Sequence, residues 1–146
     1  MSAVVQVTQG GPKTEIPGEV ILGGKLVEGR DSGRVFIATA ASVRVLGVSI
    51  TDGQAPETAQ GGTTFDSIGR PVVNAMPIPT VVAVAYAGTE VKIEYSAAAK
   101  YGEFLVSTGA GKVGPAGANP DARTLVGKCT QRAGVAANAV GLMRIL

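Results

Sequence analysis

The chain contains no histidine, and with that several chemistries fall away. Ser-His-Asp and Cys-His nucleophiles, His-ligated zinc and histidine acid–base catalysis are all excluded. A single cysteine, Cys129, cannot close an intrachain disulfide or assemble a thiolate metal site, so a disulfide-stapled secreted domain is excluded too. Aromatic residues make up only 4% of the chain, and the 13 Lys and Arg side chains are scattered rather than clustered. That pattern offers neither a basic footprint nor stacking platforms and argues against nucleic-acid binding. No apolar run approaches the roughly 18 residues that span a bilayer. Met1-Ser-Ala-Val-Val-Gln-Val7 lacks a basic start followed by an apolar stretch, so we expect no signal peptide and synthesis in a cytoplasm.

What remains is Val, Ala, Leu, Ile and glycine. The hydrophobic fraction of 45% supplies a core without large rings, and 21 glycines supply turns. Val91, Ile93 and Tyr95 alternate with Glu90, Lys92 and Glu94, a period of two that gives a strand one apolar and one charged face. Further strands are expected at Glu19–Leu22 and Lys25–Glu28 around a Gly23-Gly24 bend, at Arg34–Ala38 and at Ser42–Ile50. Arg30–Gly33 reads as a turn and Asp52-Gly53 closes the strand before it. Thr80–Ala87 and Thr89–Tyr95 read as a hairpin about Ala87-Gly88, and Thr124–Thr130 and Val140–Leu146 as closing strands. Ala97–Tyr101 favours a single helical turn.

The expected fold is therefore all-β, a small β-sandwich or β-barrel of short strands. Residues 1–17, with Gly10-Gly-Pro12 and Pro17, form an amino-terminal arm, with a strand expected at Val4–Thr8; 18–146 form one β domain. Residues 53–80, rich in proline, glycine and small polar groups, form a long loop or excursion. Segments of this length without structure are uncommon inside compact domains and point to a functional arm or an edge excursion. A faint repeat sets Leu26-Val27, Val35 and Leu46-Gly47-Val48 beside Leu105-Val106, Val113 and Leu125-Val126-Gly127, as two similar β units would.

No constellation of residues is chemically poised. Gly109-Ala-Gly-Lys-Val-Gly114 matches a dinucleotide-binding spacing, but Pro115, Gly117 and Pro120 forbid the helix that motif needs, so it reads as a glycine turn. Asp31, Asp52, Asp66 and Asp121 sit in turn contexts, and no loop gathers the carboxylates of a calcium site. Cys129 reads as a small buried strand residue. Tyr86, Tyr95 and Tyr101 read as core or interface. Arg44 and Arg144 read as solvated or ion-paired. We expect no enzyme and no cofactor.

Pro79-Thr-Val-Val-Ala-Val-Ala-Tyr-Ala-Gly88, Thr89-Glu-Val-Lys-Ile-Glu-Tyr-Ser-Ala-Ala-Ala99, Tyr101–Val106 with Gly111-Lys-Val113, Thr124–Thr130 and Val140–Leu146, with Glu19–Val27 and Val45–Val48, together resemble the capsid decoration, or cement, proteins of tailed bacteriophages. The resemblance covers roughly residues 16–50 and 79–146. It implies a β-rich homotrimer, without enzymatic activity, clamped on the outside of a virion capsid and contacting the major capsid protein. Residues 53–80 are longer than the connection the resemblance implies. With the amino-terminal arm, they are the expected contact segments, through Val4, Val5, Val7, Pro12 and Ile16, and through Phe65, Ile68, Arg70, Val72 and Val73. The alternatives are a tail or baseplate β module and a small-molecule-binding β-barrel, which would show a pocket with convergent polar groups.

Overall fold

The computed structural model describes residues 11–58, 63–65, 67–73 and 78–146. In chain order the strands are β1 (Lys13–Glu15), β2 (Leu26–Gly29), β3 (Val35–Ile37), β4 (Val45–Ser49), β5 (Thr63–Phe65), β6 (Pro71–Val73), β7 (Val82–Ala85), β8 (Glu90–Glu94), β9 (Phe104–Gly109), β10 (Lys112–Pro115), β11 (Leu125–Cys129) and β12 (Val140–Ile145). The one helical element among the described residues is a 3-10 turn at Ala122–Thr124, capped by the Asp121 carboxylate. The fold is all-β: two five-stranded antiparallel sheets, ordered β1-β7-β4-β2-β3 and β8-β12-β11-β9-β10, and a separate β5–β6 hairpin.

Numbered within its own sheet, each set of five strands has the same order, first-fifth-fourth-second-third. The equivalence extends to single hydrogen bonds. Pro17 bridges Val35 in parallel, and 78 residues further on Tyr95 bridges Val113 in parallel. Gly18 N–H donates to Val35 O at 2.9 Å, and Ser96 N–H to Val113 O at 2.8 Å. Gly24 N–H donates to Ser49 O, and Gly102 N–H to Cys129 O. Ile21 and Gly53 exchange two bonds, as do Ala99 and Val135. In each sheet the second and fourth strands slip by one residue, past Leu46 in one and Val126 in the other. The molecule is a tandem of two topologically equivalent units.

The faint repeat in the sequence is thus real, but its register differs. Val27 lies opposite Gly47, and Leu105 opposite Gly127, so Val27 matches Leu105 and Leu26 matches Phe104. A slip of one residue moves a strand's whole apolar set to the other face, so the distinction matters. The residues kept in both units are mostly those the backbone demands. Gly24 and Gly102 have φ of 81° and 82°, and Gly33 and Gly111 have φ of 74° and 69°. That left-handed region costs an L side chain energy and costs glycine little. Gly47 and Gly127 are kept for a different reason: each lies against the carbonyl of the strand beside it, that of Ala85 and that of Arg144.

Alternation sorts the core. Val27, Val35, Val82, Val84 and Ile21 form one buried cluster, the interior of the first unit. Leu26 and Val48, on the opposite face of the same sheet, join Ala38 and Ala85 in a larger cluster with Ile93, Tyr95, Leu105, Val113, Met143 and Ile145 of the second unit. The stacking is one-sided. The positions in the second unit that match Leu26, Val48 and Ala85 are Phe104, Lys128 and Arg144, and all three are exposed. The Lys128 ammonium sits 4.3 Å above the Phe104 ring. A charged outer face ends the stack at the second unit. Across the junction Lys25 reaches Glu94 at 3.3 Å, and Lys112 holds the other oxygen at 2.6 Å.

Several expectations are corrected. Thr80–Tyr95 is not a hairpin: the chain does turn at Ala87-Gly88, but β7 and β8 enter different sheets, because each is paired by a strand from its own unit. Ala97–Tyr101 is not helical, because both the N–H and the carbonyl of Ala99 are taken by Val135. Lys13–Glu15, inside the expected amino-terminal arm, pair with β7. Of Glu19–Leu22 only Ile21 pairs, singly, with Gly53. Tyr95 and Tyr86 are packed, and Tyr101 is 63% exposed, as an interface residue can be. The expected strand at Val4–Thr8 lies outside the described residues. Cys129 is buried, and the glycine turn at residues 109–111 carries no helix after it.

Candidate docking surface

Residues 16–19 and the start of the long segment meet at the outer edge of β3. Ile16 O accepts from Val35 N–H at 3.0 Å, and the Glu19 carboxylate accepts from Ile37 N–H at 2.8 Å. Pro17 fits between them because its missing N–H is not needed there. The edge of β3 is thereby closed by its own chain, one of the ways exposed strand edges are protected from pairing with other chains. A side chain at Gly18 would run into the tip of the Phe36 ring, and the Arg30 guanidinium covers that ring at 4.1 Å from its centroid. Ile16 and Val20, at 48% and 49% exposure, project from this strip.

Beside it the Arg34 guanidinium grips both carboxylate oxygens of Glu57, with Nη1 to Oε2 at 2.7 Å. The paired hydrogen bonds from Arg34 bring the Glu57 carboxyl down to about 2. Residues 53–58 are thus tied to the first unit. The return strand is tied at the same place: Gln54 N–H donates to Pro79 O at 2.8 Å, and its side-chain amide to Ile78 O at 2.7 Å. Ala55 is buried beneath this knot. Further along, β5 and β6 pair as Thr63 with Val73, Thr64 with Val72 and Phe65 with Pro71. Ile68 and Arg70 stand exposed in the turn that joins the strands, and Gly69 there takes φ of 77°.

Of the contact residues expected from sequence, Val4, Val5 and Val7 lie outside the described residues. Pro12 is exposed, just ahead of β1 at the opposite end of the sheet order from β3. Ile16 is drawn to the β3 strip, where its carbonyl accepts from Val35, the residue next to Arg34. Phe65, Val72 and Val73 fall on the hairpin strands, and Ile68 and Arg70 on its turn. The sequence reading missed Arg34, Gln54 and Glu57, which anchor the excursion. Their partners are 23 and 24 residues away, and no local pattern announces such a pair.

Elsewhere Glu28, Tyr86 and Tyr95 are committed to the fold. Glu28 is buried, which by itself raises its pKa. Hydrogen bonds from Ser42, from the Thr39 amide and hydroxyl and from Arg30 outweigh that and hold its carboxyl below the ordinary range. The Tyr86 hydroxyl, pushed up to about 12 by burial and by its 2.5 Å bond to Glu15, is a structural donor. The Tyr95 hydroxyl is likewise raised by burial and donates to Leu142 O at 2.8 Å. An open groove of about 590 Å³ runs beside Tyr101, lined by Ala99, Lys100, Arg132 and Val135. Among the described residues no group of three or more Cys, Asp or Glu side chains is placed to hold a metal ion, and no helix is long and apolar enough to cross a membrane.

No protein-family model matches this sequence, and no curated protein matches it. The fold does have a counterpart among solved structures. The crystal structure of the head fiber gp8.5 N base of bacteriophage phi29 superposes with a TM-score of 0.57 over 92% of each chain, at 12% identity. Over nearly its whole length, this chain shares its fold with the base of a phage head fiber.

Proposed function

We propose that the chain is a structural protein of a bacteriophage virion, mounted on the outside of the head and acting without catalysis. The observation that carries this reading is the fold likeness to a head-fiber base over 92% of both chains. It agrees with the resemblance of residues 16–50 and 79–146 to capsid decoration proteins. The finer reading is a homotrimeric cement protein, assembled in the host cytoplasm, that bridges subunits of the major capsid protein. In it the amino-terminal residues and the 53–80 segment make the contacts. Three weak contacts on one trimer raise apparent affinity by orders of magnitude through effective concentration. A protein that binds only the assembled shell stabilises it by mass action.

The test has two steps. Light scattering of the purified chain should give three times its mass of 14.6 kDa. The trimer should then co-sediment with expanded heads and raise the temperature at which they rupture. A monomer that ignores heads in every form would overturn the proposal and turn attention to a ligand for the groove beside Tyr101.

A further inference from the structure

The tandem separates what the fold requires from what has been added to it. Gly53 matches Val135, since each is bridged to the matching residue of its unit, Ile21 or Ala99. Val82 matches Gly141, since β7 and β12 hold the same place and register against β1 and β8. In the second unit the interval between these positions is residues 136–140, five in number. In the first it is residues 54–81, which is 28. Both units complete the same five strands, so the extra length is not needed to build one.

The extra length also leaves and returns at a single point. Gln54 is bonded to Ile78 and Pro79, and Glu57 is clasped by Arg34. Between these anchors β5 and β6 form a sheet of their own, outside both five-stranded sheets. At its turn Ile68 is 69% exposed, the most exposed large hydrophobic residue among those described. Ties at the base, pairing of its own and an apolar residue at the tip are the features of an element that binds rather than of one that supports. Surface excursions whose ends lie together are also the places where domains accept and lose insertions.

We infer that the insertion between Ala55 and Ile78, which carries the β5–β6 pair, is a recognition element grafted onto the first of two equivalent units, separable from the fold. Its Ile68 tip seats in an apolar pocket on a protein of the virion head. The partner rests on the function proposed above, while the separability rests on the tandem alone. A few residues buried near the centre of a contact commonly carry most of the binding. Three tips on one trimer would multiply the effect.

The experiment replaces residues 59–77 with a six-residue Gly-Ser linker, which reaches about 20 Å. A second variant, Ile68→Asp, leaves the backbone intact. Both should keep the far-UV spectrum, the thermal midpoint within a few degrees and the oligomeric mass of the intact chain. In co-sedimentation with expanded heads, the shortened chain should lose binding and Ile68→Asp should weaken it at least tenfold. A shortened chain that aggregates or melts without cooperativity overturns separability. Binding by both variants at the level of the intact chain overturns recognition. Should the intact chain itself fail to bind heads, the head-surface reading falls together with the named partner, and the melt still decides whether the hairpin is a graft.

Discussion

Replacing Gly47 with alanine tests whether the close approach of β4 and β7 is a condition of the first unit's fold. A methyl group there would overlap the Ala85 carbonyl oxygen, with the carbonyl carbon at 2.9 Å and Val84 Cγ1 at 3.2 Å. Backbone cannot swing aside as a side chain can, so the strands must part. Their contact is short: two register pairs, Val48 with Ala85 and Ser49 with Val84, flanked by a bond from Ile50 N–H to Ala83 O at 2.8 Å. Forcing an extra methyl into a packed site costs about 1–3 kcal/mol, and weakening one sheet hydrogen bond adds about 1 kcal/mol. The reduced freedom of the unfolded chain returns about 0.4–1 kcal/mol. The net cost is roughly 1–3.5 kcal/mol, and at about 2–4 °C per kcal/mol for a chain of this size the midpoint should fall by roughly 2–14 °C. Thermal unfolding followed by circular dichroism measures it, with Gly117→Ala as control because no atom lies within 4 Å of its would-be side chain. A Gly47→Ala protein melting within a degree of the control would refute the reasoning. Gly127→Ala should cost less than Gly47→Ala. Its methyl would lie 2.7 Å from Arg144 O, and its other close neighbours are the Met143 side-chain atoms, which can move.

Glu28→Ala should destabilise by about 1–3 kcal/mol, because the Thr39 amide and hydroxyl and the Arg30 Nε would lose their acceptor in a buried place; urea midpoints check it. Tyr95→Phe should cost about 1 kcal/mol through the lost bond to Leu142 O without altering the oligomeric mass, and the same denaturation series reads it. Acid should weaken the fold. Glu57 has its carboxyl depressed from 4.5 to about 2, so the stability it contributes is fully present above pH 4.5 and is lost as pH falls toward 2. Glu28 and Glu94 shift in the same direction. A melting temperature that rises between pH 4.5 and 2.5 would contradict the assignment, and Arg34→Gln should flatten the decline.

Local chemistry determined a good deal of this protein before any folding was considered. The alternation at residues 90–95, the glycine turns and the lack of histidine established strands, turns and the absence of histidine-based catalytic sets, because these depend on residue types and their neighbours. The strand limits around Val35–Ile37, Val45–Ser49 and Val140–Ile145 were legible for the same reason. Tertiary structure decided what joins to what. It sent β7 and β8 to separate sheets although a glycine turn links them, since strand partners are chosen by packing across long sequence distances. It corrected the repeat by one residue, a difference that only the pairing of Val27 with Gly47 and of Leu105 with Gly127 exposes. It also made the long segment intelligible: proline and glycine marked an irregular stretch, but only the joining of Gln54 to Pro79 shows where that stretch begins and ends. Local propensity acts over a few residues, whereas register, stacking and the boundary of an insertion are fixed by contacts that form only when distant parts of the chain meet.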